Sequence, residues 1–182
     1  DKELLTRASE ESGIQSHIFE RADEKANRGL MMSMGWSASV YPGNYMFYNN
    51  DMLTNDSLFS IQADVIRKVA AEGSCVIVGR CADYILKDVD NVLRIYVHAP
   101  FDYCVARAQE VHPALSEDEV KKLIRKTDKR RADYYQYFTG RNWKDADNYD
   151  LCINSSQFGW NSNSGWEKCV ALVKAYLEIM LG

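Results

Sequence analysis

The apolar run Cys75-Val76-Ile77-Val78, set between Gly73 and the pair Gly79-Arg80, constrains the fold of this chain more than any other stretch. A short unbroken apolar run bounded by turn residues reads as a strand buried on both faces, as in a parallel sheet covered by helices. The predicted strand covers 74–79. In open α/β folds, ligands bind outside the carboxyl ends of such strands. Arg80 therefore stands where a phosphate or carboxylate would bind, Gly79 permits close approach of the backbone, and Asp83 falls on the next turn.

The rest of the chain supports the same class. Leu4, Leu5 and Ala8 have helical spacing, and Ser12-Gly13 is a C-cap signal. Ser16 can cap a second helix with Ile18, Phe19 and Ala22 on one face. Residues 28–54 have no clean period and read as a long irregular excursion, a kind of segment that is usually functional or disordered. Leu58, Ile61, Val65, Ile66 and Val69 predict a helix from Asp56 that stops at Gly73. A short helix at about Ala82–Leu86, a strand at Val92–His98 ending before Pro100, and a helix over 101–111 follow. Ser116-Glu117-Asp118-Glu119 is a capping box for a long helix to about Phe138. Residues 139–148 are loop-like, Leu151–Asn154 is a short strand, and Val170 to Met180 mark a closing helix. Strands alternating with helices predict βαβ units and a parallel sheet flanked by helices in one domain over 1–182.

Charge and cysteine usage narrow the function classes. The chain has 182 residues and a net charge of -4, which gives no global attraction to nucleic acid or to an anionic membrane. Any anion must be held by a local basic cluster. Five cysteines (Cys75, Cys81, Cys104, Cys152, Cys169) show no CxxC pair and fit free thiols in a reducing cytoplasm. No apolar run reaches membrane-spanning length.

One local inversion of charge stands out. Arg125, Lys126, Lys129, Arg130 and Arg131 put five cations into seven positions of a predicted helix. Guanidinium groups bind phosphate oxygens in a bidentate way, and Asp128, at i, i+3 to Arg131, can orient it. The alternative is a solvated helix face with internal ion pairs. Taken singly, Lys2, Arg7 and Arg107 read as surface charges, and His98 at a strand end reads first as a hydrogen-bonded structural histidine. The Tyr134-Tyr135-Tyr137-Phe138 cluster reads as helix packing. No His, Cys or carboxylate grouping has metal-ligand spacing.

Several segments together resemble the cytidylate kinase-like family, a branch of the P-loop nucleoside monophosphate kinases. They are Asp1-Lys2-Glu3-Leu4-Leu5, Val76 to Tyr84, Asp128 to Tyr135, Tyr137-Phe138-Thr139-Gly140 and Asn148 to Asn154. The resemblance implies a P-loop kinase-like sheet, a mobile acceptor cover over 28–54 and a lid region over 112–147. It implies that Arg7, with Asp1, matches an Asp-Ser-Gly-x-x-x-Arg stretch and holds the acceptor phosphate; Lys2 replaces the Ser. Arg80 matches the arginine of a Gly-Arg-Asp motif, but Cys81 follows it and the acidic residue is Asp83. Asp128 and Arg131 match the family's lid pair, Ile124 replaces a further lid arginine next to Arg125, and His98 replaces an Asp. These departures imply an acceptor other than plain CMP.

The implied activity is transfer of the γ-phosphoryl of ATP, with Mg²⁺, to a nucleoside monophosphate or a related phosphate acceptor. Arg125, Asp128, Lys129, Arg130 and Arg131 would act on the transferring group. Lys2, Arg7, Arg80, Asp83 and His98 would bind the acceptor, and Arg107, Ser155 and Ser156 the donor nucleotide. The family's phosphate-binding loop is expected upstream of Asp1, since no GxxxxGK[ST] pattern occurs here. The chain by itself is then expected to be inactive. A non-catalytic nucleotide sensor is the second reading, and an upstream Gly-rich loop would separate the two. Nucleotides are the expected partners, without nucleic acid or membrane; self-association is allowed but not specified.

Overall fold

The computed structural model of the chain describes residues 2–13, 55–159 and 165–181. The helix anticipated after Ser16, the irregular segment 28–54 and Asp1 lie outside the described residues. No described helix is long and apolar enough to cross a membrane.

The described residues fall into two compact units. One comprises residues up to Asp88 together with Arg130–Arg141, the other Val89–Lys129 and Asn142 onward. In the first unit, α1 (Lys2–Ser12) ends as its sequence requires. Gly13 takes the left-handed conformation at φ 68° and donates its N–H to the Ser9 carbonyl at 2.9 Å. α2 (Asn55–Glu72) carries its apolar residues at helical spacing, so Leu58, Ala63, Val65 and Ile66 are buried. Ala8 of α1 packs with Leu58 and Val65, with Leu4, Ile61 and Val69 around them. Burying such a side chain contributes about 1.5–3 kcal/mol, which makes this helix pair the core of the unit. The short helix α3 (Ala82–Ile85) packs against α2.

The second unit holds the sheet. β1 (Ile95–His98) and β2 (Leu151–Asn154) pair in parallel, with Ile95 opposite Leu151 and His98 opposite Asn154. Arg94, just before β1, clamps Asp150, just before β2: its Nη2 lies 2.7 Å and its Nε 3.0 Å from the two carboxylate oxygens. The guanidinium holds the Asp150 carboxyl below the usual carboxylate range. α4 (Phe101–Val111) buries Val105, and α5 (Glu117–Thr139) buries Val120. The capping box at the start of α5 is formed as expected. Glu119 accepts from the Ser116 N–H at 2.8 Å, and the Glu119 N–H points to Ser116 Oγ at 3.4 Å. A 3₁₀ turn at Ser155–Phe158 follows β2, and α6 (Gly165–Leu181) packs on it. Helix α5 is continuous, with its first part in the second unit and its last turns in the first.

One expectation is corrected. Residues 74–79 do not form a strand, and the residues before Ile95 do not join β1. Val76 is 93% and Val78 65% exposed. The reason is physical: an apolar run has the propensity for a strand but not the ladder, which needs a neighbouring backbone. Among the described residues the only sheet is the β1–β2 pair.

Candidate functional site

The backbone does something unusual where the apolar run ends. Gly79, Arg80 and Cys81 all take left-handed conformations, at φ 72°, 57° and 56°. The Ala82 N–H closes the turn on the Gly79 carbonyl at 3.0 Å. Glycine adopts this region freely, but each non-glycine residue there costs about 1–2 kcal/mol. Two such residues in succession persist only when their surroundings hold them, and such strain concentrates at ligand sites. Here Cys81 is buried and Arg80 half-buried, and α3 starts at once, its Ile85 N–H bonding back to the Cys81 carbonyl at 2.9 Å.

α3 is tied in turn to α5. The Tyr135 hydroxyl donates to Asp83 at 2.6 Å, and Tyr135 is buried. Asp83 thus fastens the turn that follows Arg80 to the helix that carries the basic run. Arg131 lies one helical turn before Tyr135, about 6 Å along the axis. Phe59 of α2 stacks on Phe138 at 4.0 Å between ring centroids and meets Tyr134 edge-on, so the aromatic cluster is helix packing, as read. Arg141 lies over the Tyr84 ring at 5.2 Å, and Lys87 lies over the same ring at 4.9 Å. Arg141 was missed as a site candidate. Its signal was the Thr139-Gly140-Arg141 helix stop, where Thr139 Oγ1 accepts the Arg141 N–H at 3.1 Å. Arg130 is half-buried, and its Nε, shielded from solvent, has no acceptor among the described residues. A shielded guanidinium N–H without an acceptor is costly, and an anion would satisfy it.

Several other candidates have structural partners. Arg7 pairs with Glu72 at 2.8 Å at the exposed end of α2. Lys2 opens α1. In the second unit, Arg125 stacks over Phe101 at 4.9 Å, and Arg107 pairs with Glu110 on its own helix. Asp128 and Lys129 lie there too, one turn or less before Arg131 on α5. Burial, and then the Asp128 charge, push the Tyr96 hydroxyl and the Cys104 thiol up from their ordinary pKa values. His98, at the exposed end of β1, closes a ladder of rings. It stacks on Tyr96 at 5.6 Å, and Tyr96 stacks on Tyr149 at 5.0 Å. Ser155 Oγ donates to the His98 carbonyl at 3.2 Å, and Ser156 donates from N and Oγ to Asn154.

Residues 1–157 match the model of the cytidylate kinase-like family. The chain belongs to this family. The match takes in α1, the left-handed turn, α5 and both strands, and stops short of α6. Among solved structures, the chain is similar to one described as an uncharacterized protein from Eubacterium ventriosum ATCC 27560. The two are 30% identical, with a TM-score of 0.52, over 57% of this chain and 59% of that one. The chain thus spans about three fifths of that protein's length. No curated protein matches. The family is one of nucleotide kinase-like proteins, and a small parallel sheet flanked by helices agrees with it in fold class.

Proposed function

We propose that the whole protein is a phosphotransferase that moves the γ-phosphoryl of ATP to a nucleoside monophosphate or a related phosphate acceptor. The observation that carries this reading is the left-handed turn Gly79-Arg80-Cys81, a strained backbone that presents an arginine in a family of nucleotide kinase-like proteins. Strain of this kind is retained where a side chain must be aimed, and an arginine is suited to grip a phosphate in a bidentate way.

On this reading Arg80 holds the acceptor phosphate, with Arg7 exchanging Glu72 for it, and Lys2 and His98 contribute to acceptor binding. An oxygen of the acceptor phosphate attacks the γ-phosphorus, the bond from phosphorus to the β–γ bridging oxygen breaks, and ADP leaves. Charge on the transferring group is met by the basic run Arg125, Lys129, Arg130 and Arg131, with Asp128 orienting Arg131. Arg107, Ser155 and Ser156 serve the donor nucleotide. Phosphoryl transfer depends almost wholly on such positioning and charge stabilisation. Mg²⁺ would arrive on the donor phosphates, where it would bridge their oxygens and offset their charge.

A coupled assay of ADP release by the full-length protein, over a panel of monophosphates, tests the proposal. Release that depends on one acceptor supports it; no release above the ATP-only rate with any of them sinks it.

A further inference from the structure

Helix α6 is apolar over more of its surface than its packing uses. At about 100° per residue, Gly165, Cys169, Val173 and Tyr176 share one side, and these are its buried or half-buried positions. That side rests on the 3₁₀ turn Ser155–Phe158, and the Tyr176 hydroxyl donates to the Asp150 carbonyl at 3.4 Å. Beside it runs a second stripe of Trp166, Val170 and Leu177, which are 53%, 44% and 36% exposed. Together with Val173 on its edge, this stripe follows the spacing 4, 3, 4, the alternation by which one helix offers a seam to another. The far border of the stripe carries Glu167 and Lys174, both exposed. A helix apolar over so wide an arc is normally covered, and α6 lies beyond the residues that match the family.

We propose that α6 pairs with a second copy of itself, antiparallel about a two-fold axis. Trp166 then packs on the partner's Leu177 and Val170 on the partner's Val173, each contact occurring twice. The same register sets Glu167 beside the partner's Lys174, also twice, on the solvent border of the seam. This charge match selects the antiparallel arrangement. In a parallel pair each border of the seam faces the opposite border of the partner helix, so Glu167 and Lys174 do not meet. A seam between two 17-residue helices is smaller than a standard interface of about 1,600 Å². The dimer is therefore reversible and depends on concentration.

Sedimentation velocity on the full-length protein over a wide range of concentration reads the equilibrium. Wild type is expected to pass from monomer to dimer. Lys174→Glu turns two attractions into two repulsions at exposed positions, which weakens the dimer about tenfold and leaves the fold intact. Glu167→Lys combined with Lys174→Glu restores it, and Leu177→Asp abolishes it. A protein that stays monomeric throughout overturns the proposal. So does a dimer that ignores both the charge reversal and Leu177→Asp.

Discussion

Arg80 and Cys81 concentrate the strain of the described backbone at one point, and that point is open to a direct test. Arg80→Ala and Arg80→Gly remove the same side chain, but only glycine occupies φ 57° without cost. The glycine variant is expected to be the more stable of the two by about 1 kcal/mol, the αL penalty less the extra freedom glycine has when unfolded. Urea unfolding of both variants measures the difference. Equal stabilities would mean that the turn is not held in this conformation. A second residue separates the structure from the reading of the sequence. Val76 is 93% exposed, so Val76→Ser in the 182-residue chain should change stability by less than about 0.5 kcal/mol. Were Val76 in a strand buried on both faces, a thermal melt would show a loss of several degrees.

The elements show where sequence pattern suffices and where it does not. The helices were legible because their signals are local: Ser12-Gly13 stops α1, Gly73 ends α2, and Ser116 with Glu119 starts α5. β1 and β2 were legible as short apolar runs. The run at 75–78 was not, since a strand is a property of two segments and local pattern reports only one. Local pattern also placed Asp83 near the anion site but could not show its bond to Tyr135, 52 residues away. Arg141 was missed for a similar reason: the Thr139-Gly140 helix stop marks where α5 ends, but only the fold sets Arg141 over Tyr84. The clamp between the starts of the two strands makes a prediction at this scale. The Asp150 carboxyl is held below its ordinary pKa by Arg94, so the folded state binds fewer protons there than the unfolded chain. Its contribution is complete above the ordinary aspartate pKa of about 4 and is lost as the pH falls through the lower folded value. Asp150→Asn should therefore be less stable than wild type at neutral pH, with the gap closing in acid. A gap that is the same at every pH would show that the ion pair adds nothing to the sheet.

At the scale of the whole molecule, the proposed function turns on one property: recognition of a nucleotide's phosphate at the strained arginine turn. The cations that could provide it are distributed over α1, the turn, α5 and Arg141, two residues after it, in a chain whose net charge is -4. An acidic protein binds a small phosphate ester through such local clusters and repels polyanions elsewhere. The direct measurement is thermal stabilisation of the full-length protein by nucleoside monophosphates and by the same nucleosides without phosphate. It is made on wild type and on Arg80→Ala, because a ligand that binds only the folded state raises the melting temperature by mass action. A monophosphate should stabilise wild type while its nucleoside does not. Arg80→Ala, melting within a few degrees of wild type when unliganded, should lose that stabilisation, its affinity falling by about 10–100-fold. A nucleoside that stabilises as well as its monophosphate, or an Arg80→Ala variant that responds as wild type does, would contradict a phosphate site at this turn.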